Sequence, residues 1–425
     1  MNIKKRIMLL NILVILGLTS ILLIVNNSMS RSVKPTYSAY AAGDVVPDGV
    51  IDLTDVGRLY RGMKGIVTLS SDAKIAGDVV ADGTIDLSDV GRLYRYYMKQ
   101  INNLVVVSKP EIYTSDNIKS GNTHSIGFLL KLKSGADVYY CEDTGNTCNP
   151  STKYTGELRY ASSTTKYLRY KACSGGNSCS SVGSYKIVLS IDNKLGSNSS
   201  SQALAYANPW GASYYSQGDS RWGSTAIPVS PYQTIRAAGC GYTSLAMLMT
   251  GITHNYSITP VTILNDLKAT GKKYSYSNSE CNNCGGYMYY YAIYNESLTS
   301  KYNYGTSELF NYFTAGCVNK DCLNVSGKKD SIMESLKMGH MIIALAPSHY
   351  IALISIDSDD KILIYNPDSS EYMGKASISD VWDTFWDYKS RCSKGSNLGD
   401  CGLTIAYEVY PKGGMSLAYW KKIGN

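Results

Sequence analysis

Charged residues make up only 18% of this 425-residue chain, yet no long low-complexity or single-sign tract runs through it, which excludes a disordered or collagen-like protein. The formal charge of +7 hides a second lack. Residues 1–42 hold five Lys or Arg and no acid, residues 43–104 hold seven basic and nine acidic groups, and the remainder holds 29 and 25. No dense basic cluster follows Lys34, so the phosphate-neutralising patch that nucleic acid requires is missing. Histidine is scarce, with four residues, and phenylalanine is as rare, with four against 37 tyrosines. What is present is apolar mass, 44% of residues, enough for several cores; at roughly 100–200 residues per domain the length predicts two to four domains.

The single long apolar run, Ile7 to Val25, follows Lys4, Lys5 and Arg6. A basic head before such a run is an export signal, read either as a signal peptide with a small-residue site at Ala39-Tyr40-Ala41 or as a retained signal anchor. Membrane contact is expected through this segment alone. Eleven cysteines follow, ten of them in close pairs: Cys141 and Cys148, Cys173 and Cys179, Cys281 and Cys284, Cys317 and Cys322, Cys392 and Cys401. In an exported chain these read as disulfides, with a four-thiolate zinc site as the alternative for Cys281, Cys284, Cys317 and Cys322. Cys240 stands alone.

The string from Gly43 to Arg61 recurs from Gly77 to Arg95. Counting Asp44 as position 1 of a twelve-residue loop, Asp48, Val50, Asp52 and Asp55 fall at 5, 7, 9 and 12, with Gly49 at the sharp turn; Asp78, Asp82, Thr84, Asp86, Asp89 and Gly83 repeat the pattern. Carboxylates at those positions and a backbone carbonyl at 7 are what calcium takes from such a loop, although Val46 and Val80 supply no ligand at position 3. A short helix should leave each loop, with Val56, Leu59 and Tyr60, then Val90, Leu93 and Tyr94, on one face, and no helix is expected to enter. This duplicate resembles a dockerin module over residues 43–104, which implies structural calcium and a cohesin-like domain of a surface or scaffold protein as partner.

Short alternating runs between residues 105 and 195, among them ADVYYC, KYLRYKAC and YKIVLSID, predict a small β-sandwich. It resembles the bacterial immunoglobulin-like repeats, which implies a spacer or weak adhesion unit without chemistry; His124 reads as a surface-loop residue. A Gly/Ser-rich linker covers 196–208.

From residue 209 onward the pattern changes. Cys240 lies between Gly239 and Gly241 and opens an apolar helical run ending at Gly251. Unpaired N–H groups and the dipole at a helix start stabilise a thiolate, and the two glycines allow tight entry and close substrate approach. His349 opens the apolar strand Tyr350 to Ile354, and Asp360 to Tyr365 reads as its return strand, ending at Asn366-Pro367. An Asn beside a strand-edge His can orient the ring toward a thiol. His254 and His340 have weaker claims. The strings YxSQxDxRW (Tyr214, Ser216, Gln217, Asp219, Arg221, Trp222) and GCGxTSLAM (Gly239 to Met247), followed by HY and NP, resemble papain-like cysteine peptidases, and most closely the bacteriocin-processing, double-glycine leader type. The resemblance implies an α+β domain over 209–425 with Cys240 as nucleophile, His349 as base, Asn366 as orienting residue and Gln217 as oxyanion donor, and no catalytic cofactor. Gln233 competes for the oxyanion role and Asp368 for the orienting one; the departures from the family are Asn rather than Asp at position 366, which can still orient an imidazole, and an insert with cysteine pairs over 272–328. No GxxxxGK[ST] string occurs, so a self-contained leader-processing exporter is not expected. The tyrosines at 287 and 289–291 read as surface packing or as a peptide-binding wall. The sequence thus predicts a multidomain exported cysteine peptidase acting on a peptide or related amide, against the alternative of a non-catalytic surface binding protein on the same scaffold.

Overall fold

The computed structural model describes residues 41–80, 83–102, 104, 107–174, 178–192, 208–228, 233–277, 287–311, 325–346, 349–368, 374–381, 403 and 405–423. The export run Ile7 to Val25, residues 196–207 of the linker, and Cys281, Cys284, Cys317, Cys322, Cys392 and Cys401 lie outside the described residues. Among the described residues no helix is long and apolar enough to cross a membrane.

The N-terminal region is helical. Helices Leu53–Met63 and Leu87–Tyr97 start where Asp52 and Asp86 cap them in capping boxes completed by Asp55 and Asp89. Their apolar faces meet through Leu59 and Leu93, both fully buried, with Val45, Val56 and Val79 filling the remaining core. The repeat thus folds back on itself to bury one stripe from each copy. One expectation fails here: a seven-residue helix, Ser71–Gly77, enters the second loop, capped by the Ser70 side chain.

The middle region is built of two β-sheets. Strands β1 (Glu111–Thr114), β2 (Thr123–His124), β3 (Phe128–Lys133), β4 (Asp137–Asp143), β5 (Thr152–Lys153), β6 (Leu158–Tyr160), β7 (Thr164–Ser174), β8 (Ser178–Cys179) and β9 (Gly183–Leu189) form one sheet ordered β1-β3-β6 and another ordered β2-β9-β7-β4-β5, with β8 beside β7. Phe128, Leu130, Leu168, Ile187 and Leu189 close the core between them. Disulfides join Cys141 to Cys148 and Cys173 to Cys179. His124 is not on the surface as expected. It is wholly buried, stacked on Phe128 with ring centroids 3.7 Å apart, and its Nδ1 lies 2.6 Å from Asp116 Oδ2.

Strand β3 is buried on both faces, and the second face explains how the middle region sits. Leu129 packs on Met338, Leu417, Trp420 and Ile423 of the C-terminal region, mostly on the helix Leu417–Ile423. Lys131 Nζ donates to Trp420 O (2.6 Å), Trp420 Nε1 donates to Glu157 Oε1 (2.9 Å), and Ser115 Oγ donates to Met338 O (2.9 Å). Apolar burial ringed by satisfied polar groups makes a docked face.

The C-terminal region is an antiparallel sheet with helices on both faces. Strands β10 (Tyr304–Asn311), β11 (Met341–Ala346), β12 (His349–Ile356), β13 (Ile362–Tyr365), β14 (Gly374–Ala376) and β15 (Ile405–Pro411) run in the order β10-β15-β11-β12-β13-β14. Alternation along β12 sends Tyr350, Ala352 and Ile354 toward the helix Cys240–Thr253, and Ile351 and Leu353 toward the helix Val325–Lys337. Two covered faces are why these strands read as unbroken apolar runs. The Cys240 helix is buried on every side from Cys240 to Gly251, the Thr243 and Thr250 hydroxyls within it donating to the Gly239 and Met247 carbonyls. It continues past Gly251 to Thr253, where His254 caps it in the left-handed conformation (φ 52°). The return strand begins at Ile362 rather than Asp360, which occupies the hairpin turn at φ 58°.

Candidate active site and calcium loops

Cys240 is the first residue of its helix and is buried, and among the described residues it is the free cysteine. The glycines beside it allow the tight entry expected of them. A Cβ on Gly239 would lie 2.4 Å from Ile235 O, and one on Gly241 would lie 2.6 Å from Met288 Cβ and 3.0 Å from Tyr350 Cδ2. Close packing of the helix start against its own approach turn and against Met288 is therefore what excludes side chains here, and it sets where the thiol stands.

His349 begins β12, and Asn366 follows the last residue of β13. Because Ala352 pairs with Tyr365 in the hairpin, the two residues come to the same end of the sheet. His349 Nε2 lies 2.7 Å from Asn366 Oδ1, and Cys240 is hydrogen-bonded to the same imidazole. Asp368 N–H also donates to Asn366 Oδ1 (3.0 Å), which selects the oxygen end of that amide, and His349 Nε2, facing an acceptor, is then assigned as the protonated nitrogen. Nδ1 is then the nitrogen left for the thiol. Burial pulls the His349 pKa down, but the bond and charge of Cys240, the Asn366 bond and the Asp368 charge outweigh it, and the net shift is upward.

The YxSQxDxRW segment supports this end of the hairpin. Tyr214 OH donates to Asn366 O (2.9 Å), and Gln217 N–H donates to Pro367 O (2.8 Å). Burial, aided by the Asp368 charge, pushes the Tyr214 phenol up to about 12, so it stays a donor at neutral pH. The Gln217 side chain is buried, its Nε2 donates to Arg236 O (2.8 Å), and its Oε1 has no partner. Gln233 is engaged by its backbone, accepting from Ile227 N–H (3.1 Å), and its side chain is only half-buried. The supporting roles of Tyr214 and of the Asp368 N–H were not read from the sequence, although both lie in or beside strings already singled out.

Of the other histidines, His254 is exposed at its helix end. His340 is buried, with Nδ1 2.8 Å from Glu408 Oε2. The tyrosines form an aromatic cluster. Rings 289, 290 and 291 lie 4.2–5.3 Å apart, Tyr276 meets Tyr289 at 4.9 Å, and Lys273 Nζ stands 4.3 Å over the Tyr289 ring. Tyr290 and Cys240 both act electrostatically on the buried Tyr350, whose phenol is raised by burial well above its ordinary value.

In the first repeat loop Asp44 accepts from Asp48 and Gly49 N–H, and Asp55 accepts from Val46 and Asp52 N–H. Asp48 and Asp52 accept from Val50 and Thr54 N–H. The second loop repeats this with Asp78 accepting from Gly83 N–H, Asp89 from Val80 and Asp86 N–H, and Asp86 from Ser88 N–H; Asp82 lies outside the described residues. Gly49 and Gly83 take φ of 83° and 86°, a backbone open to glycine. Among the described residues no three acidic side chains are arranged to hold an ion, their oxygens being turned to loop N–H groups. Asp55 is nonetheless fully buried, and burial, with the charges of Asp52 and Asp44, raises its carboxyl to about 6 against those N–H bonds. Carboxylates crowded in this way, all hard oxygen donors, suit a divalent cation.

No curated protein and no solved structure matches the chain. Two family models do match parts of it: residues 42–98 match the model of the dockerin type I domain, and residues 209–390 match the model of the Peptidase_C39 like family.

Proposed function

We propose that this protein is an exported cysteine peptidase, held at the cell surface or in an extracellular complex, that hydrolyses peptide or related amide bonds through Cys240, His349 and Asn366. The observation carrying the reading is the 2.7 Å contact between His349 Nε2 and Asn366 Oδ1 with Cys240 bonded to the same ring. The Cys240 proton passes to His349 Nδ1. The thiolate, facing the positive end of its helix, attacks the carbonyl carbon and the C=O electron pair moves onto oxygen. Gln217 keeps one amide hydrogen on Arg236 O, and an amide nitrogen has a second to offer that oxyanion. Collapse of the intermediate breaks the C–N bond, with His349 returning its proton to the leaving amine. Water, deprotonated by His349, then cleaves the thioester and restores the thiol.

Within this reading residues 105–195 are an immunoglobulin-like module docked on the catalytic domain, and residues 43–104 locate the enzyme on a cohesin-like domain. Calcium would be held by Asp44, Asp48, Asp52, Asp55 and the Val50 carbonyl, and by Asp78, Asp82, Asp86, Asp89 and the Thr84 carbonyl, where it would brace the two loops. One observation favours the non-catalytic alternative: Gln217 Nε2 already serves Arg236 O. A thiol-reactive peptide probe added to the full chain decides between them. Covalent attachment mapped by mass spectrometry to Cys240, and lost in His349→Ala, supports catalysis; labelling of Cys240 that is unchanged in His349→Ala supports the binding-protein reading.

A further inference from the structure

The insert at 272–328 sends a short antiparallel ribbon to the thiol site. Ser275 and Met288 form its bridge, with Tyr276 N–H donating to Tyr287 O (3.0 Å) and Tyr289 N–H to Tyr274 O (2.8 Å). Both bridge residues are buried, Ser275 at 4% exposure and Met288 at 0%. The ribbon is itself braced: Tyr289 packs on Tyr276 with centroids 4.9 Å apart, and Lys273 Nζ stands 4.3 Å over the Tyr289 ring.

Both strands of the ribbon grip the residues that follow Cys240 and His349. A Cβ on Gly241, the residue after Cys240, would lie 2.6 Å from Met288 Cβ and 3.0 Å from Met288 Cε. The same atom would lie 3.0 Å from Cδ2 of Tyr350, the residue after His349, so the Met288 side chain and the Tyr350 ring close on one point at the helix start. Tyr350 OH donates to Met288 O (3.3 Å), and Tyr242, one residue further along the helix, is hydrogen-bonded to the Ser275 side chain.

Asn366 fixes which way the imidazole faces, but it belongs to the same hairpin as His349 and does not set the spacing between that hairpin and the helix. Met288 touches both elements at the ends that carry Cys240 and His349, and a wholly buried, close-packed side chain has little room to yield.

We propose that Met288 is a positioning residue: its side chain, carried on the ribbon of the insert, fixes the spacing between the helix start and β12 at which the Cys240 thiol and the His349 imidazole bond. The inference rests on the reading of Cys240 and His349 as a working pair. Emptying the Met288 site lets the two elements settle, and a hydrogen bond weakens steeply as its distance and angle depart from the optimum. His349 then loses the Cys240 contacts that hold its pKa up; the Asn366 bond and the Asp368 charge remain, so the fall is partial.

The test compares Met288→Ala, Met288→Leu and Tyr350→Phe with wild type in the full chain carrying ¹⁵N-labelled histidine. Iodoacetamide alkylation of Cys240 at neutral pH is followed by mass spectrometry, and His349 is titrated by NMR with His124 and His340 as internal checks of folding. Met288→Ala should slow alkylation about tenfold or more and lower the His349 midpoint. Met288→Leu, close in volume, should restore both, and Tyr350→Phe, which keeps the ring and removes the bond to Met288 O, should move both the same way by less. A side chain that merely fills the core would change the melting temperature and leave the rate and the midpoint of the folded protein where they are. Alkylation in Met288→Ala within twofold of wild type or faster, an unmoved His349 midpoint, or a Leu variant as impaired as the Ala variant would each overturn the proposal; should Met288→Ala fail to fold, an unmoved rate and midpoint in Tyr350→Phe would do so. Peptide hydrolysis is read separately. A wild type that cleaves no peptide while the Met288 effects appear would overturn the peptidase reading and uphold this one, whereas a chain that cleaves peptide and is indifferent to Met288→Ala would overturn this one alone.

Discussion

Replacing Asn366 with Ala removes the oxygen that accepts from His349 Nε2 (2.7 Å) and from Asp368 N–H (3.0 Å), in a pocket where Asn366 is 1% exposed. The ring then loses both its fixed tautomer and one of the contacts that favour its protonated form. A hydrogen bond to a charged group is worth about 1.5–3 kcal/mol. If that is expressed in the thiolate–imidazolium pair, Cys240 should react roughly 10- to 150-fold more slowly in the variant. The sign on the pH axis follows separately. Asn366 helps to raise the His349 pKa, so its removal lowers that pKa and shifts the alkaline limb of the hydrolysis profile to lower pH, while Asn366→Asp, adding negative charge, shifts it higher. The assays are the second-order rate of iodoacetamide alkylation at Cys240, read by mass spectrometry on the Cys240 peptide, and the pH profile of peptide hydrolysis between pH 5 and 10, whose alkaline limb reports loss of the imidazolium that protonates the leaving amine. A rate within twofold of wild type and an unmoved alkaline limb in Asn366→Ala would refute the orienting role.

Three further outcomes are expected. Gly241→Ala should lower stability by about 1–3 kcal/mol through overpacking against Met288 and Tyr350, seen as a fall in melting temperature; an unchanged melting temperature would mean that the helix start is looser than described. Trp420→Ala, emptying a site 1% exposed between the β module and the C-terminal domain, should cost about 3–5 kcal/mol and separate the urea unfolding of the two regions, whereas a single unshifted transition would show that they are not coupled through this face. Millimolar calcium should raise the melting temperature of the N-terminal module, by about 2.7 kcal/mol of stabilisation at 100 times the dissociation constant, and Asp55→Ala should reduce the effect; calorimetry without calcium uptake would remove the ion from the account.

The elements that carry the thiol site were legible because their signals are local. A lone Cys before an apolar helical run, a His opening a strand apolar on both faces, and an Asn at the end of the return strand each declare their place within a few residues. The antiparallel hairpin then obliges His349 and Asn366 to meet. What stayed hidden depends on partners distant in the chain. His124 was placed at the surface because nothing in its immediate sequence announces the Phe128 stack and the Asp116 contact. His340 finds its carboxylate 68 residues away. The docking of the β module is carried by FLLKLK, whose nearly continuous burial is the mark of a strand covered on both faces, but nothing in the run itself names the distant helix that covers its second face. The entering helix Ser71–Gly77 had a readable signal in the Ser70 cap, obscured by its short length. The flanking glycines of Cys240 read as a tight helix entry, but the groups that demand it, the backbone of Ile235 and the side chain of Met288, are not visible in a linear motif.

The central claim is that Cys240 attacks an amide carbonyl, and the most direct measurement is amide hydrolysis by the purified full chain against Cys240→Ala, using a mixture of unstructured peptides with mass-spectrometric detection of new termini. The account predicts cleavage by the wild type, a covalent thioester on the Cys240 peptide in acid-quenched samples, and the loss of both in the variant. Hydrolysis that persists undiminished in Cys240→Ala would contradict it.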